Sequence, residues 1–241
     1  MRNRGPVGIP KARTASLSAL EREIISCERC PRLREWCEHV ALVRVRRYAA
    51  EEYWGRPVPG FGDPMARLLV VGLAPGAHGA NRTGRVFTGD RSGDFLFAAL
   101  HRAGFANQPE SRDRKDGLRL LDAWVAALVR CAPPANKPTH EEIASCRTFV
   151  LRELSLLPNL RMILALGRIA MDGAVSVLRD AGRLPRGRAF AFGHGIEHEV
   201  DARLRLVASY HPSQQNTFTG RLTAASFDAV LRRVSRLLED G

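Results

Sequence analysis

The sequence predicts an α/β protein, a three-layer α/β/α sandwich around a mostly parallel sheet. Three observations carry this. The aliphatic runs Arg67–Gly72, Arg161–Gly167 and Leu204–Tyr210 are near-continuous in apolar residues, as strands buried on both faces are. Stretches with helical spacing alternate with them. Such alternation demands crossover connections, which lay helices over both faces of one sheet. The 241 residues, 45% hydrophobic and 26% charged, suffice for one core of this kind.

In chain order, residues 1–15 are basic and polar and read as a disordered tail, with residues 16–241 forming one domain. Residues 16–37 read as helical around the first cysteine pair, with Leu17, Leu20, Ile24 and Ile25 at helical spacing. Residues 44–66, rich in Pro, Gly and aromatics, read as an irregular segment. Arg67–Gly72 is a strand, followed by a long Gly/Ala/Asn loop to Arg91. Ser92 is the expected N-cap of a helix through Phe95–Ala103. Residues 118–130 form the next apolar element. Thr139 with Glu142 three residues on is a capping-box signature for a helix over 140–157. The Arg161–Gly167 strand leads into a helix to about Asp180, then a Gly/Arg-rich turn region over 183–200. The Leu204–Tyr210 strand and a helix over 222–238 complete the chain. No apolar run approaches the ~18 residues that span a bilayer. Residues 1–18 lack the apolar core of a signal peptide, so the expected location is cytoplasmic, at the nucleoid.

Lysine and arginine outnumber aspartate and glutamate by 37 to 25, a formal charge of +12. Most of the excess is arginine, whose planar fork suits phosphate. A GC-rich genome explains arginine over lysine but not the surplus, so the charge points to nucleic acid. Cys27-x-x-Cys30, Cys131 and Cys146 suggest a sulfur site, either an iron–sulfur cluster or zinc, since thiols in a reducing compartment favour metal over disulfide. Cys37 reads as a buried or free thiol, with the alternative that it replaces Cys30.

The loop Gly72-Leu-Ala-Pro-Gly76-Ala-His-Gly79-Ala-Asn81-Arg-Thr-Gly84-Arg85-Val-Phe87-Thr-Gly89-Asp90 holds five glycines in nineteen residues, which lets backbone approach a ligand. It lacks the Gly-Lys-Ser/Thr of a phosphate loop and the Gly-x-Gly-x-x-Gly of a dinucleotide site. This loop, the one after Cys131 and His211-Pro-Ser213 all follow strands. Open sheets bind ligands at those carboxyl ends, so the three are expected to meet in one cleft.

These segments resemble the uracil-DNA glycosylase superfamily. Gly72–Gly76 and Asn81–Asp90 look like its family 5, His211–Asn216 looks like its second motif, and the four cysteines look like the [4Fe-4S] ligands of families 4 and 5. The resemblance runs from about Cys27 to the final helix. It implies a monofunctional hydrolase of N-glycosyl bonds in DNA repair, acting on uracil, with hypoxanthine and xanthine as further bases. Ala74 matches the small apolar residue that family 5 carries where related families place an acid or amide. Asn81 is then the residue to order the water, Phe87 the one to stack on the extruded base, and Asn136 the one to pair with its edge. An imidazole N–H of His211 stabilises the departing base, while Asn216 positions sugar, base or water. Arg82, Arg85 and Ser213 fall to DNA, and Phe218 is a candidate wedge. Cys27, Cys30, Cys131 and Cys146 hold a structural cluster. The implied partner is double-stranded DNA, with single-stranded DNA also a candidate, bound by a monomer and away from membranes. The rival reading is a non-catalytic iron–sulfur or zinc scaffold or redox sensor on nucleic acid, to which the methyl of Ala74 lends force. No role follows for His78.

Overall fold

The computed structural model describes residues 11–240. Helices α1 (Lys11–Ile25) and α2 (Pro31–Val43) precede a two-residue edge strand β1 (Phe61–Gly62) and β2 (Leu68–Gly72). Then come α3 (Ala80–Thr83), α4 (Arg91–Arg102), β3 (Ala123–Ala127), α5 (His140–Cys146), α6 (Thr148–Leu156) and β4 (Met162–Leu166). The chain continues through α7 (Arg168–Asp180), β5 (Glu197–Glu199), β6 (Arg205–Ser209), α8 (Gln214–Phe218) and α9 (Ala224–Glu239). Helix α1 begins at Lys11, inside the stretch expected to be tail. Residues 1–10 lie outside the described residues.

The six strands lie in the order β1-β3-β2-β4-β6-β5. The four central ones are parallel and the two short edge strands antiparallel. Successive side chains of a strand point to opposite faces, and the apolar runs divide accordingly. Val70 pairs with Val125 on one side and Leu164 on the other, and Leu164 pairs with Val207. This row packs against α4 and α9 through Leu96, Leu100, Phe227 and Leu231. The alternate residues Leu69, Val71, Ile163 and Leu206 face α6 and α7 through Val150, Met171, Ala174 and Leu178. Both faces are covered, which is why these strands read as unbroken hydrophobic runs rather than as alternation.

Two helix boundaries differ from expectation. Helix α4 is capped by Asp90, whose carboxylate accepts from the Gly93 N–H at 3.0 Å, and not by Ser92. The 140–157 helix is two helices meeting at Arg147. Its capping box is present: Glu142 N–H donates to Thr139 Oγ1 at 3.2 Å, and Thr139 N–H donates to Glu142 Oε2 at 2.7 Å.

Beyond β3 the chain buries a charge. Arg130 Nη2 donates to Glu153 Oε2 at 2.5 Å, with both side chains at most 2% exposed. Among the described residues the Nε and Nη1 of Arg130 have no hydrogen-bond partner. Removing one member of such a pair strands the other in an apolar medium. Arg130→Met is therefore expected to lower the unfolding free energy by about 3–5 kcal/mol, read from the denaturation midpoint in urea.

Candidate active site

The parallel strands β2, β3, β4 and β6 end on one edge of the sheet, and the loops leaving that edge enclose a cleft of about 770 Å³. Its wall is built from Leu73–Gly79 after β2, Phe87, Gly89 and Asp90 before α4 with Arg91 and Ser92 at its start, Asn136 after β3, and His211, Ser213, Gln214 and Gln215 after β6. The three expected loops do converge. Val45, Arg47 and Tyr48, from the segment after α2, form a further wall that sequence reasoning did not single out.

Phe87 has a left-handed backbone, φ +54°, and is buried. Its ring lies on the end of β2: a Cβ at Gly72 would stand 2.6 Å from Phe87 Cζ, so only glycine admits the ring there. The ring centroid lies 5.9 Å from that of His211, with the planes 30° apart. His211 keeps part of its surface on the cleft, yet its ring is enclosed by protein, and this enclosure governs its protonation. Burial lowers its pKa, and the Asp90 charge opposes that shift. A neutral imidazole at neutral pH results. Asn216 is not on the wall of this cleft; its Nδ2 donates to the His211 carbonyl at 2.8 Å. Ser213, on the wall, caps α8 by accepting from Asn216 N–H at 3.4 Å.

Asn136 stands exposed in a tight turn in which Ala135 and Asn136 are both left-handed, at φ 52° and 58°. That conformation is uncommon for alanine. No hydrogen bond within the described residues engages the Asn136 side chain, so its amide is free to meet a ligand. Ala74 lines the cleft with a methyl, and His78, also on the wall, pairs through Nδ1 with Tyr53 Oη at 3.2 Å. Asn81 lies behind the wall, wholly buried. Its Nδ2 donates to the Cys37 carbonyl at 3.3 Å, and its Oδ1 has no partner among the described residues.

The two arginines assigned to DNA from the sequence are instead committed to the protein. Arg85 is buried and forms a two-pronged ion pair with Asp116, at 2.9 and 2.5 Å, plus a bond to Ser111 at 2.7 Å. Arg82 pairs with Glu51, donates to the His78 and Gly89 carbonyls at 2.9 Å each, and stacks 3.9 Å from the Tyr48 ring. The glycine-rich loop needs internal scaffolding, and these side chains supply it. Arg47 and Arg91 occupy the cleft instead, over the rings of Tyr48 and Phe218 at 5.1 and 5.2 Å, and neither forms an ion pair within the described residues. Phe218 is 67% exposed at the end of α8. The signal for Asp90, a carboxylate on the wall, was present in the sequence as Asp-x-x-Gly before an amphipathic helix.

The cysteines gather beside the cleft. Cys37, Cys131 and Cys146 are buried in one cluster, with Cys27, Cys30, Ala74 and Ala77 packed against it. Arg130 N–H donates to Cys146 Sγ and Ala132 N–H to Cys37 Sγ, both at 3.2 Å. Burial pushes the Cys146 thiol up to about 12. Burial raises Cys30 as well, helped by the charges of Cys131 and Glu142. Among the described residues no three acidic, histidine or cysteine side chains close on one point as placed.

A cleft of this kind, walled by strand-end loops with an aromatic–imidazole pair, defines a pocket protein of the open α/β class. The model of the uracil DNA glycosylase superfamily matches residues 59–235. A type-5 uracil-DNA glycosylase of Mycobacterium tuberculosis is 51% identical over 92% of this chain and 82% of its own length. One of Thermus thermophilus is 50% identical over 91% and 97%. A type-4 uracil-DNA glycosylase of Pyrobaculum aerophilum is 28% identical over 82% and 83%. The chain belongs to the uracil-DNA glycosylase superfamily, on its type-5 branch.

The Arg85–Asp116 pair yields a pH prediction. Burial alone would raise the Asp116 carboxyl, but the bond from Arg85 and the N–H groups of Leu118 and Arg112 hold it at about 2, against an ordinary 3.8. A depressed acid stabilises the fold above its ordinary value, and that contribution is lost as pH falls from there toward 2. In Asp116→Asn this part of the acid slope is expected to vanish, measured as the urea midpoint between pH 4.5 and pH 2.5.

Proposed function

We propose that this protein is a monofunctional DNA glycosylase that flips uracil out of DNA into the cleft and hydrolyses its N-glycosidic bond. The observation that carries the reading is the Phe87–His211 wall where the strand-end loops converge, in a chain half identical to type-5 enzymes. A base must leave the stack before its bond is reachable. Phe87 offers a ring for stacking, which ignores base identity. Asn136 offers an amide that can accept from N3–H and donate to O4 of uracil. Hypoxanthine and xanthine present a similar carbonyl and N–H edge, which supports them as further substrates. As the bond breaks, negative charge gathers on the base carbonyls. A neutral His211 N–H directed at O2 stabilises that charge as it develops. Asn216 fixes the backbone that carries His211. Asn81 is a positioning residue: a bare buried acceptor costs about 1–3 kcal/mol, and a water on its Oδ1 is the natural partner. Among the described residues no lysine lines the cleft, which supports hydrolysis to an abasic site without a strand-cutting step.

Arg47 and Arg91 replace Arg82 and Arg85 as the contacts to the phosphate backbone, and the exposed Phe218 beside Arg91 is placed to fill the gap left by the base. Alkali cleavage of a uracil-containing duplex after incubation with the protein tests the activity. His211→Ala is expected to lower the single-turnover rate by about 10²–10³, the loss typical of one oxyanion donor.

The same reading assigns Cys27, Cys30, Cys131 and Cys146 to a [4Fe-4S] cluster. Cys131 and Cys146 are buried in one cluster with Cys27 and Cys30 packed against it, and a backbone N–H donates to Cys146 Sγ, which supports this set as the ligands. The cluster would act as a cross-link between the α1–α2 turn, the end of β3 and α5. Cys37 is left out because its thiol is engaged with the Ala132 backbone, donating to the carbonyl at 3.5 Å. Purified protein should be brown, and replacing any of the four ligands by Ala should remove iron while Cys37→Ala retains it, as measured by iron analysis and absorbance near 400 nm.

A further inference from the structure

We propose that the corner over residues 42–48 is a second arm on duplex DNA. Leu42 and Val43 pack into the groove beside the extruded nucleotide, and Arg46 lies on the phosphate backbone. This rests on the glycosylase reading and extends it. The buried apolar residues of α2 are Leu33, Cys37 and Val40, at helical spacing. Leu42 comes two residues after Val40, about 200° round the helix, where a polar side chain belongs. It is 82% exposed, and Val43 beside it 64%. Core packing therefore does not account for this pair. Single exposed apolar residues are ordinary, whereas an adjacent pair on the rim of a cleft marks a contact.

The corner is held in shape by its own groups. Arg44 ends α2 with a left-handed backbone, φ 53°, uncommon outside glycine. Its side chain clamps the turn, with Nε donating to the Ala41 carbonyl at 3.2 Å and Nη1 to the Ala49 carbonyl at 3.0 Å. The turn sends Val45, Arg47 and Tyr48 onto the cleft wall and leaves Leu42 and Val43 outside it. Arg82 stacks on Tyr48 and pairs with Glu51, which ties the corner to the glycine-rich loop. Val43 stands two residues from the wall, at most ~7 Å along the chain. The DNA grooves are about 6 and 12 Å wide, so a duplex that delivers a nucleotide to the cleft runs over this tip. Charge selects the occupant. Arg44, Arg46 and Arg47 fall within four residues, and none forms an ion pair among the described residues. A two-fold contact between copies of this chain centred here would set these cations against themselves. DNA brings the opposite charge to the cleft that they border.

Leu42, Val43 and Arg46 are all exposed, so substitution there leaves the fold intact. Affinity for a duplex bearing a tetrahydrofuran abasic site, which the protein cannot cleave, is measured by anisotropy across a sodium chloride series. Leu42→Ser/Val43→Ser is expected to weaken binding about tenfold, the worth of one buried aliphatic side chain, at an unchanged salt slope. Arg46→Ala is expected to lower that slope by about one, since each phosphate contact releases about one counterion. A duplex affinity within twofold of wild type in the tip variant overturns the proposal, as does an unchanged slope in Arg46→Ala. So does an equal loss on the single strand of the same sequence, which has no groove. Sedimentation velocity of the free protein and binding to phosphatidylserine vesicles identify the other occupants. A dimer or a vesicle complex that the tip variant abolishes, with duplex affinity kept, assigns the corner to a second copy or to a bilayer. Uracil excision by the wild type is followed in parallel. A protein that excises uracil while its tip variant binds DNA unchanged loses the arm alone. One that binds DNA through the tip yet leaves uracil in place loses the glycosylase reading alone.

Discussion

The cleft depends on one contact, the Phe87 ring lying against the backbone of Gly72 at the end of β2. This pins the far end of a nineteen-residue loop to the strand from which the loop departs. A strand-to-helix connection of that length has no regular ladder to hold it. The ring sets where the loop returns, and Asp90 then opens α4 three residues later. Arg82 and Arg85 bind the interior of the loop to Glu51, Asp116 and nearby carbonyls. Buried charge-assisted bonds of this kind are geometrically demanding, and a reactive cleft needs that rigidity. Two cations that appear on paper to be free for DNA are used to shape the pocket.

Behind the wall, α2 joins the cysteine pocket to the loop. Cys37 sends its thiol to the Ala132 backbone next to Cys131 and offers its carbonyl to Asn81. Ala74 and Ala77, on the cleft side, pack against the same cluster. A change in how the cysteines are held therefore reaches the loop through packed atoms rather than through solvent.

The arginine surplus separates into two populations. One part is tied into ion pairs such as Arg34 with Glu28 and Glu38, Arg102 with Asp228 and Arg183 with Asp201. Another lies over aromatic rings at the cleft, as Arg47 and Arg91 do. Stacking leaves the guanidinium edge open to phosphate, whereas a two-pronged carboxylate pair closes it. Composition reports the sum of both populations and cannot divide them.

The fold class, three of the four parallel strands and the meeting of their loops were legible in the sequence, because strands buried on both faces must be apolar throughout and parallel strands must share an edge for their carboxyl ends. The cysteine spacing and the glycine-rich loop were legible because few other patterns place those residue types so. Side-chain destinations were not. Arg85 and Arg91 are six residues apart in one basic loop, yet one is sealed against Asp116, thirty-one residues on, and the other stands at the cleft. Asn81 read as a residue of the cleft and is buried behind it, against a helix more than forty residues earlier. Asp90 read as the tail of a motif and proves to be both cap and wall. Periodicity and local chemistry fix elements because they depend on neighbours in sequence. The partner of a long polar side chain depends on neighbours in space, and only the tertiary packing supplies those.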